Sequence, residues 1–157
     1  MPQLEVQTQE ELVAQLRSYA LKIYETVYED LSMEFRKLEK ECQFQMQNVG
    51  LPRSCSSACI KEDRLVNNVA MNMMVLMESL YRISYSIENN KELCSKYIDY
   101  VKQLVKDLMK ETESLENLQK LLRKIHVTMN KVKKTKAVKL KRCNENEVNE
   151  MLTSPRS

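Results

Sequence analysis

The five cysteines are the residues of this sequence most able to do chemistry, and they stand at positions 42, 55, 59, 94 and 143. Cys55 and Cys59 form a C-x3-C pair that could supply two zinc ligands, but no histidine or second pair stands nearby to complete four. The odd count, the wide spacing and a polar, acidic N-terminus without a secretory signal predict reduced thiols inside a cell. We therefore expect no metal and no cofactor.

Histidine occurs once, as His126, and this limits the acid–base chemistry open to the chain. A Ser/His/Asp or Cys/His set needs a histidine held against its nucleophile, and no such set can be assembled around His126. The single glycine, Gly50, excludes a glycine-rich phosphate-binding loop. The sequence predicts that the protein is not an enzyme and has no catalytic residue.

A basic segment over residues 130–142, NKVKKTKAVKLKR, holds seven basic residues and no acid, in a chain whose net charge is +3. Such a block is commonly a flexible arm toward an acidic partner, and nucleic acid, an acidic protein tail such as that of a microtubule, and anionic lipid all qualify. The alternative is the solvated C-terminal end of a helix, where the helix dipole stabilises positively charged side chains. The residues of this basic arm are Lys131, Lys133, Lys134, Lys136, Lys139, Lys141 and Arg142.

The elements that must position these groups are helices. One glycine and three prolines in 157 residues are too few for the tight turns of sheets. The charged fraction is 30%, and no apolar run approaches the roughly 18 residues of a membrane span, so no span is expected. The composition predicts an all-α protein.

The first predicted helix covers residues 8–48. Thr8 and Glu11 have the spacing of a capping box, which marks its beginning. An apolar stripe then runs from Leu12 to Val49 with a mean step of about 3.7 residues, longer than the heptad period. Residues 1–7 are predicted to be disordered.

A loop over residues 49–59 ends this helix. Gly50 suits a left-handed cap, and Pro52 cannot continue a helix. Ser56 or Ser57 can cap the helix that follows. Two long helices joined by about ten residues predict an antiparallel hairpin.

A heptad region follows over residues 60–135, and its phase does not slip between Val66 and Val132. Eighteen of its twenty a and d positions are apolar, and no glycine or proline interrupts it. The pattern predicts one helix of about 70 residues wound around partner helices. The exceptions are Asn90 and Glu111, and a turn at 89–91 is the alternative that would give three helices.

Residues 70–77, AMNMMVLM, are apolar on nearly every side, and such a helix must be buried on every side. Thin helices have little bulk to surround it, so we expect other helical subunits of a hetero-oligomeric bundle to cover it, with an intramolecular core as the alternative. The predicted interface comprises Val66, Val69, Met73, Leu76, Met77, Leu80, Ile83, Leu104, Leu108, Leu115, Leu118, Leu122 and Ile125. The predicted architecture is thus an elongated helical hairpin or coiled coil.

Residues 136–157 are predicted to form a tail that is first basic and then disordered. Ser154 precedes a proline and is a minimal site for proline-directed phosphorylation.

Residues 104–125, LVKDLMKETESLENLQKLLRKI, resemble the C-terminal coil of a small subunit of augmin, the spindle complex that branches microtubules. The resemblance implies a non-catalytic structural subunit of a hetero-oligomer at the mitotic spindle, in the cytoplasm and cytoskeleton, with the nucleus as the alternative location. Residues 22–41, KIYETVYEDLSMEFRKLEKE, are similar in pattern to the head of a small kinetochore subunit. The other functions kept open are an endosomal or lysosomal tethering subunit and a nucleic-acid-binding module acting through residues 131–142.

Overall fold

The computed structural model describes residues 8–153, which form seven helices and two short strands. The all-α class predicted from the composition is confirmed. The elements in chain order are α1 (Gln9–Thr26), a π-helical turn (Val27–Leu31), α2 (Ser32–Gln47), a 3-10 turn (Arg53–Cys55), α3 (Ser57–Arg64), a second π-helical turn (Leu65–Ala70), α4 (Met71–Glu88), β1 (Leu93–Cys94), α5 (Ser95–Glu111), α6 (Glu116–Lys134), β2 (Leu140–Lys141) and α7 (Glu145–Thr153).

Helix termini lie where the capping residues predict them. The Thr8 hydroxyl accepts a hydrogen bond from the Glu11 amide at 3.1 Å, and the Ser56 hydroxyl accepts one from the Cys59 amide at 3.2 Å. Gly50 adopts a φ of +80°, a left-handed conformation that costs glycine little. The first long helix and the hairpin loop therefore follow from local chemistry.

The two π-helical turns explain the long steps in the apolar pattern. Four consecutive steps of four residues run from Tyr19 to Phe35, and a straight α-helix would rotate such a row off its face. The wider π turn at Val27–Leu31 takes up the extra residue, so Leu31 stays buried. At the second π turn (Leu65–Ala70), Leu65 takes the buried position that the heptad pattern assigns to Val66. The Val66 side chain is therefore exposed.

Helix α1 runs antiparallel to α4, and these two helices make the most extensive contact in the molecule. Helices α5 and α6 complete a four-helix bundle, in which α5 packs on α4 and α6 packs on α1. Helices α2 and α3 pack chiefly on each other, so their hairpin extends beyond the bundle. A disulfide between Cys42 and Cys59 joins them, with 4.6 Å between the Cα atoms.

The predicted single helix of 70 residues is wrong, because two turns divide the heptad region into α4, α5 and α6. Asn90 has a φ of 54° and forms the first turn, which was the alternative considered. The second turn follows Glu111, where the buried Thr112 donates its hydroxyl to the Leu108 carbonyl at 2.7 Å. Both exceptions to the apolar a and d pattern therefore lie at turns.

The predicted subunit interface is wrong for a related reason, since most of its side chains fill the core of this chain. Once the heptad region folds back, α1, α4, α5 and α6 together supply the bulk that one thin helix lacks. Val66 is exposed, and Met77 and Leu115 are partly buried. The other ten are buried: Val69, Met73, Leu76, Leu80, Ile83, Leu104, Leu108, Leu118, Leu122 and Ile125.

The predicted reduced thiols and the predicted flexible tail are also corrected. Cys94 and Cys143 are joined by a disulfide, so with Cys42–Cys59 four of the five cysteines are paired and Cys55 alone is free and exposed. Strand β2 lies parallel to β1, with Leu93 opposite Leu140. Residues 145–153, predicted to be disordered, form α7, and the Arg82 guanidinium donates to the Met151 carbonyl.

Two further predictions, the disordered residues 1–7 and the phosphorylation site at Ser154, lie outside the described residues. Within residues 8–153, no helix is both long enough and apolar enough to cross a membrane.

Replacing Leu76 tests the intramolecular core. Its side chain is fully buried, so Leu76→Ala removes apolar burial and leaves a cavity, and we expect a loss of about 3 kcal/mol in the free energy of unfolding of the isolated chain. Urea denaturation followed by circular dichroism measures this loss. The neighbouring Val75 is exposed, and Val75→Ala should cost far less. An equal, small effect of both substitutions would contradict an intramolecular core.

Candidate partner-binding seam

The outer edge of the α1–α4 contact is marked by an ion pair. The Arg17 guanidinium donates two hydrogen bonds to the Glu88 carboxylate, at 3.0 and 2.9 Å. Residues three, four or seven positions apart share a helix face, so this pair identifies the side on which α1 and α4 adjoin at the surface.

A row of apolar and aromatic side chains continues from this ion pair on both helices. On α1 and its π turn, the positions that share a face with Arg17 are Leu21, Tyr24 and Tyr28. On α4, the row leading back from Glu88 holds Tyr85, Tyr81, Met77 and Met74. Because the helices are antiparallel, the two rows lie side by side. We name this surface the tyrosine seam, comprising Leu21, Tyr24, Tyr28, Met74, Met77, Tyr81 and Tyr85.

Large side chains in the tyrosine seam are open to solvent. Tyr28 is 73% exposed, Tyr24 55%, and Leu21 and Tyr85 54% each. Met74 is exposed, and Met77 and Tyr81 are partly buried against the core. Aromatic residues and methionine are enriched at protein interfaces, and large contiguous apolar patches are uncommon on monomers. The arrangement is suited to binding another protein.

Charged side chains lie at the Arg17–Glu88 end of the tyrosine seam. The hydrogen bonds and charge of Glu88, together with the nearby Tyr81, raise the pKa of Arg17, and the Arg17 hydrogen bonds lower the pKa of Glu88. The Lys91 ammonium lies 5.0 Å from the centroid of the Tyr85 ring, a cation–π contact. The aromatic rows are therefore bounded by fixed charges at this end.

The charge of the two helices is negative. Helix α1 carries three acidic and two basic side chains, α4 carries two acidic and one basic, and the π turn after α1 adds Glu29 and Asp30. Apolar side chains with basic residues around them would complement a surface of this charge.

The predicted basic residues lie elsewhere, on the last turn of α6 and the segment that follows. Of the seven, only Lys133 forms an ion pair among the described residues, with Asp99 of α5. All seven side chains are exposed, and Lys136, Lys139 and Lys141 gather beside residues 90–92 at the end of the bundle.

His126 is partly buried, and its Nε2 atom has no hydrogen-bond partner. No three His, Cys, Asp or Glu side chains of the described residues are placed to hold a metal ion.

The sequence pattern does not reveal the tyrosine seam, because an apolar stripe marks the residues that a helix buries. Leu21, Tyr24 and Tyr28 lie outside the apolar stripe of the first helix. Their own spacing, three and then four residues, is the signal of a second face. The methionine-rich stretch 70–77 did indicate an excess of apolar surface, and its outward members Met71, Met74 and Val75 are exposed.

The comparisons with known proteins add no relative: no family model matches the chain, and neither a curated protein nor a solved structure matches it significantly.

The Arg17–Glu88 pair predicts a pH dependence. Because the folded-state pKa of Glu88 is lowered, its stabilising contribution is present above the unfolded pKa and is lost as the pH falls through the folded pKa. In a carboxyl-detected NMR titration, we expect Glu88 to titrate below the ordinary glutamate value, and Arg17→Gln should move its midpoint upward. Lys22→Gln, the same charge change elsewhere on α1, should leave it in place. An ordinary midpoint in the unsubstituted protein would contradict the pairing.

Proposed function

We propose that this protein is a non-catalytic structural subunit of a multiprotein complex and that a partner helix binds in its tyrosine seam. The observation that carries the proposal is the exposure of the Tyr24, Tyr28 and Tyr85 rings on two packed helical segments. Tyrosines are frequent hot-spot residues because they bury a large apolar ring and keep a polar group for hydrogen bonding.

A helix is the occupant that the seam fits best. Two antiparallel helices leave a shallow groove along their contact line, and an amphipathic helix fills such a groove with residues at i, i+3, i+4 and i+7. The partner would thereby become a further helix of the bundle. The acidic character of α1 and α4 favours a partner with basic residues beside its apolar stripe.

A symmetric dimer through the same surface is less favourable. Two-fold symmetry would place the seam of one copy against the seam of the other, so the acidic helices of both copies would meet. Like charges across an interface raise its free energy. We therefore propose a different chain as the partner, which agrees with assembly as a hetero-oligomer.

The mitotic spindle, or more broadly the microtubule cytoskeleton, is the setting that the sequence resemblance suggests, although two disulfides are unusual for a protein of the reducing cytosol. Its support is the resemblance of residues 104–125 to an augmin coil, and here these residues form the end of α5, the turn and much of α6. A kinetochore complex is the alternative suggested by residues 22–41, which include Tyr24 and Tyr28 of the seam. A tethering-complex subunit would use the same kind of surface.

The test begins with affinity purification and identification of the co-purifying chains, followed by reconstitution of each with the purified protein. Tyr24→Ala with Tyr28→Ala should weaken the reconstituted complex by about tenfold or more, because both rings would be buried there. Isothermal titration calorimetry measures the affinity, and thermal melting by circular dichroism should show an unchanged fold.

Tyr100→Ala on α5 is the matched control, since it removes an exposed tyrosine away from the seam. Its effect on affinity should stay within about twofold. Equal weakening by the control and by the seam variant would reject the seam as the binding surface. A dimer of the chain alone that dissociates on substitution of Tyr24 and Tyr28 would show that a second copy is the occupant.

A further inference from the structure

The basic segment that follows α6 forms one wall of a groove at the end of the bundle. The groove has a volume of about 830 Å³, and the turn before β1 forms its other wall. Its charged side chains are Lys91, Lys136, Lys139, Lys141 and Glu92. The groove lies next to the tyrosine seam only at Lys91, so it is a separate site.

The backbone around the groove is held by long-range contacts. The Leu93 backbone amide donates to the Lys139 carbonyl at 2.7 Å. The side-chain amide of Gln9 donates to the Ala137 carbonyl at 2.9 Å. The Cys94–Cys143 disulfide, with 5.6 Å between Cα atoms, fastens the segment just after β2. The lysines are consequently displayed on a fixed scaffold.

The groove is positively charged and open to a ligand. Among the described residues, none of its four lysines forms an ion pair with a carboxylate. Lys139 and Lys141 are two positions apart, so at an extended strand their Cα atoms are separated by roughly 6–7 Å. The same separation relates alternate residues of an extended peptide.

We propose that this groove binds an extended acidic segment of a partner polypeptide. In the described part of the chain β2 pairs only with β1, so its outer edge can accept another strand. Alternate carboxylates of that strand would meet Lys139 and Lys141, and the intervening small side chain would lie on the opposite face, beside Leu140.

The composition of the groove favours a peptide over nucleic acid. No aromatic side chain lines it, so it lacks the stacking surface on which single-stranded bases usually bind. The Glu92 carboxylate repels any anion, phosphate or carboxylate, but it can accept a hydrogen bond from a backbone amide, which a peptide offers and the sugar–phosphate backbone of a nucleic acid lacks. Nucleic acid therefore becomes the competing outcome of the test.

The experiment measures binding of a fluorescein-labelled peptide of alternating glutamate and alanine to the full, oxidised chain by fluorescence anisotropy at low salt. Lys139→Gln with Lys141→Gln should weaken binding about tenfold. Lys102→Gln with Lys106→Gln on α5, which removes the same charge outside the groove, should change it by less than twofold. Equal weakening by both pairs would overturn the proposal, because it would show only a general charge effect.

A second variant tests the fixed geometry. Cys94→Ser with Cys143→Ser leaves the charge unchanged but releases the segment, so peptide binding should again weaken about tenfold while the circular dichroism spectrum stays helical. Unchanged binding would overturn the groove in favour of a flexible basic arm. A 15-nucleotide single-stranded DNA that binds more tightly than the peptide, and is lost with the same two lysines, would overturn the peptide in favour of nucleic acid.

Discussion

The structure depends on the burial of the heptad face within a single chain. The inward side chains of α4, α5 and α6 pack against one another and against the inner face of α1, where Leu16 and Ile23 are fully buried. This packing sets the antiparallel α1–α4 contact, and that contact creates the tyrosine seam on its outer edge. It also brings the chain after α6 back to β1, where the basic groove forms.

Local chemistry was enough to predict the helical class, the first long helix and its capping residues. The same pattern could not decide what the heptad face packs against, because a 3.5-residue repeat serves a partner helix of another chain and a helix of the same chain equally. The decisive signals were the two polar d positions, Asn90 and Glu111, which lie at the turns. A polar residue at such a position costs less at an exposed turn than in a core.

The candidate sites were partly visible in the sequence. The charge of residues 130–142 is apparent from the sequence, but the ordered backbone of that segment depends on pairing with residues 47 positions earlier, which no local pattern predicts. The tyrosine seam was missed because its members are the residues left over when the core stripe is removed. Only the placement of α4 beside α1 turns two minor stripes into one surface.

Small-angle X-ray scattering of the isolated chain tests the central claim most directly. An intramolecular bundle predicts a monomer whose largest dimension is set by the continuous helix over residues 9–47, about 60 Å long, and therefore lies near 60–80 Å. An unbroken helix over residues 60–135 would be about 110 Å long. A monomer in the shorter range supports the account, and a maximum dimension of 110 Å or more would contradict it.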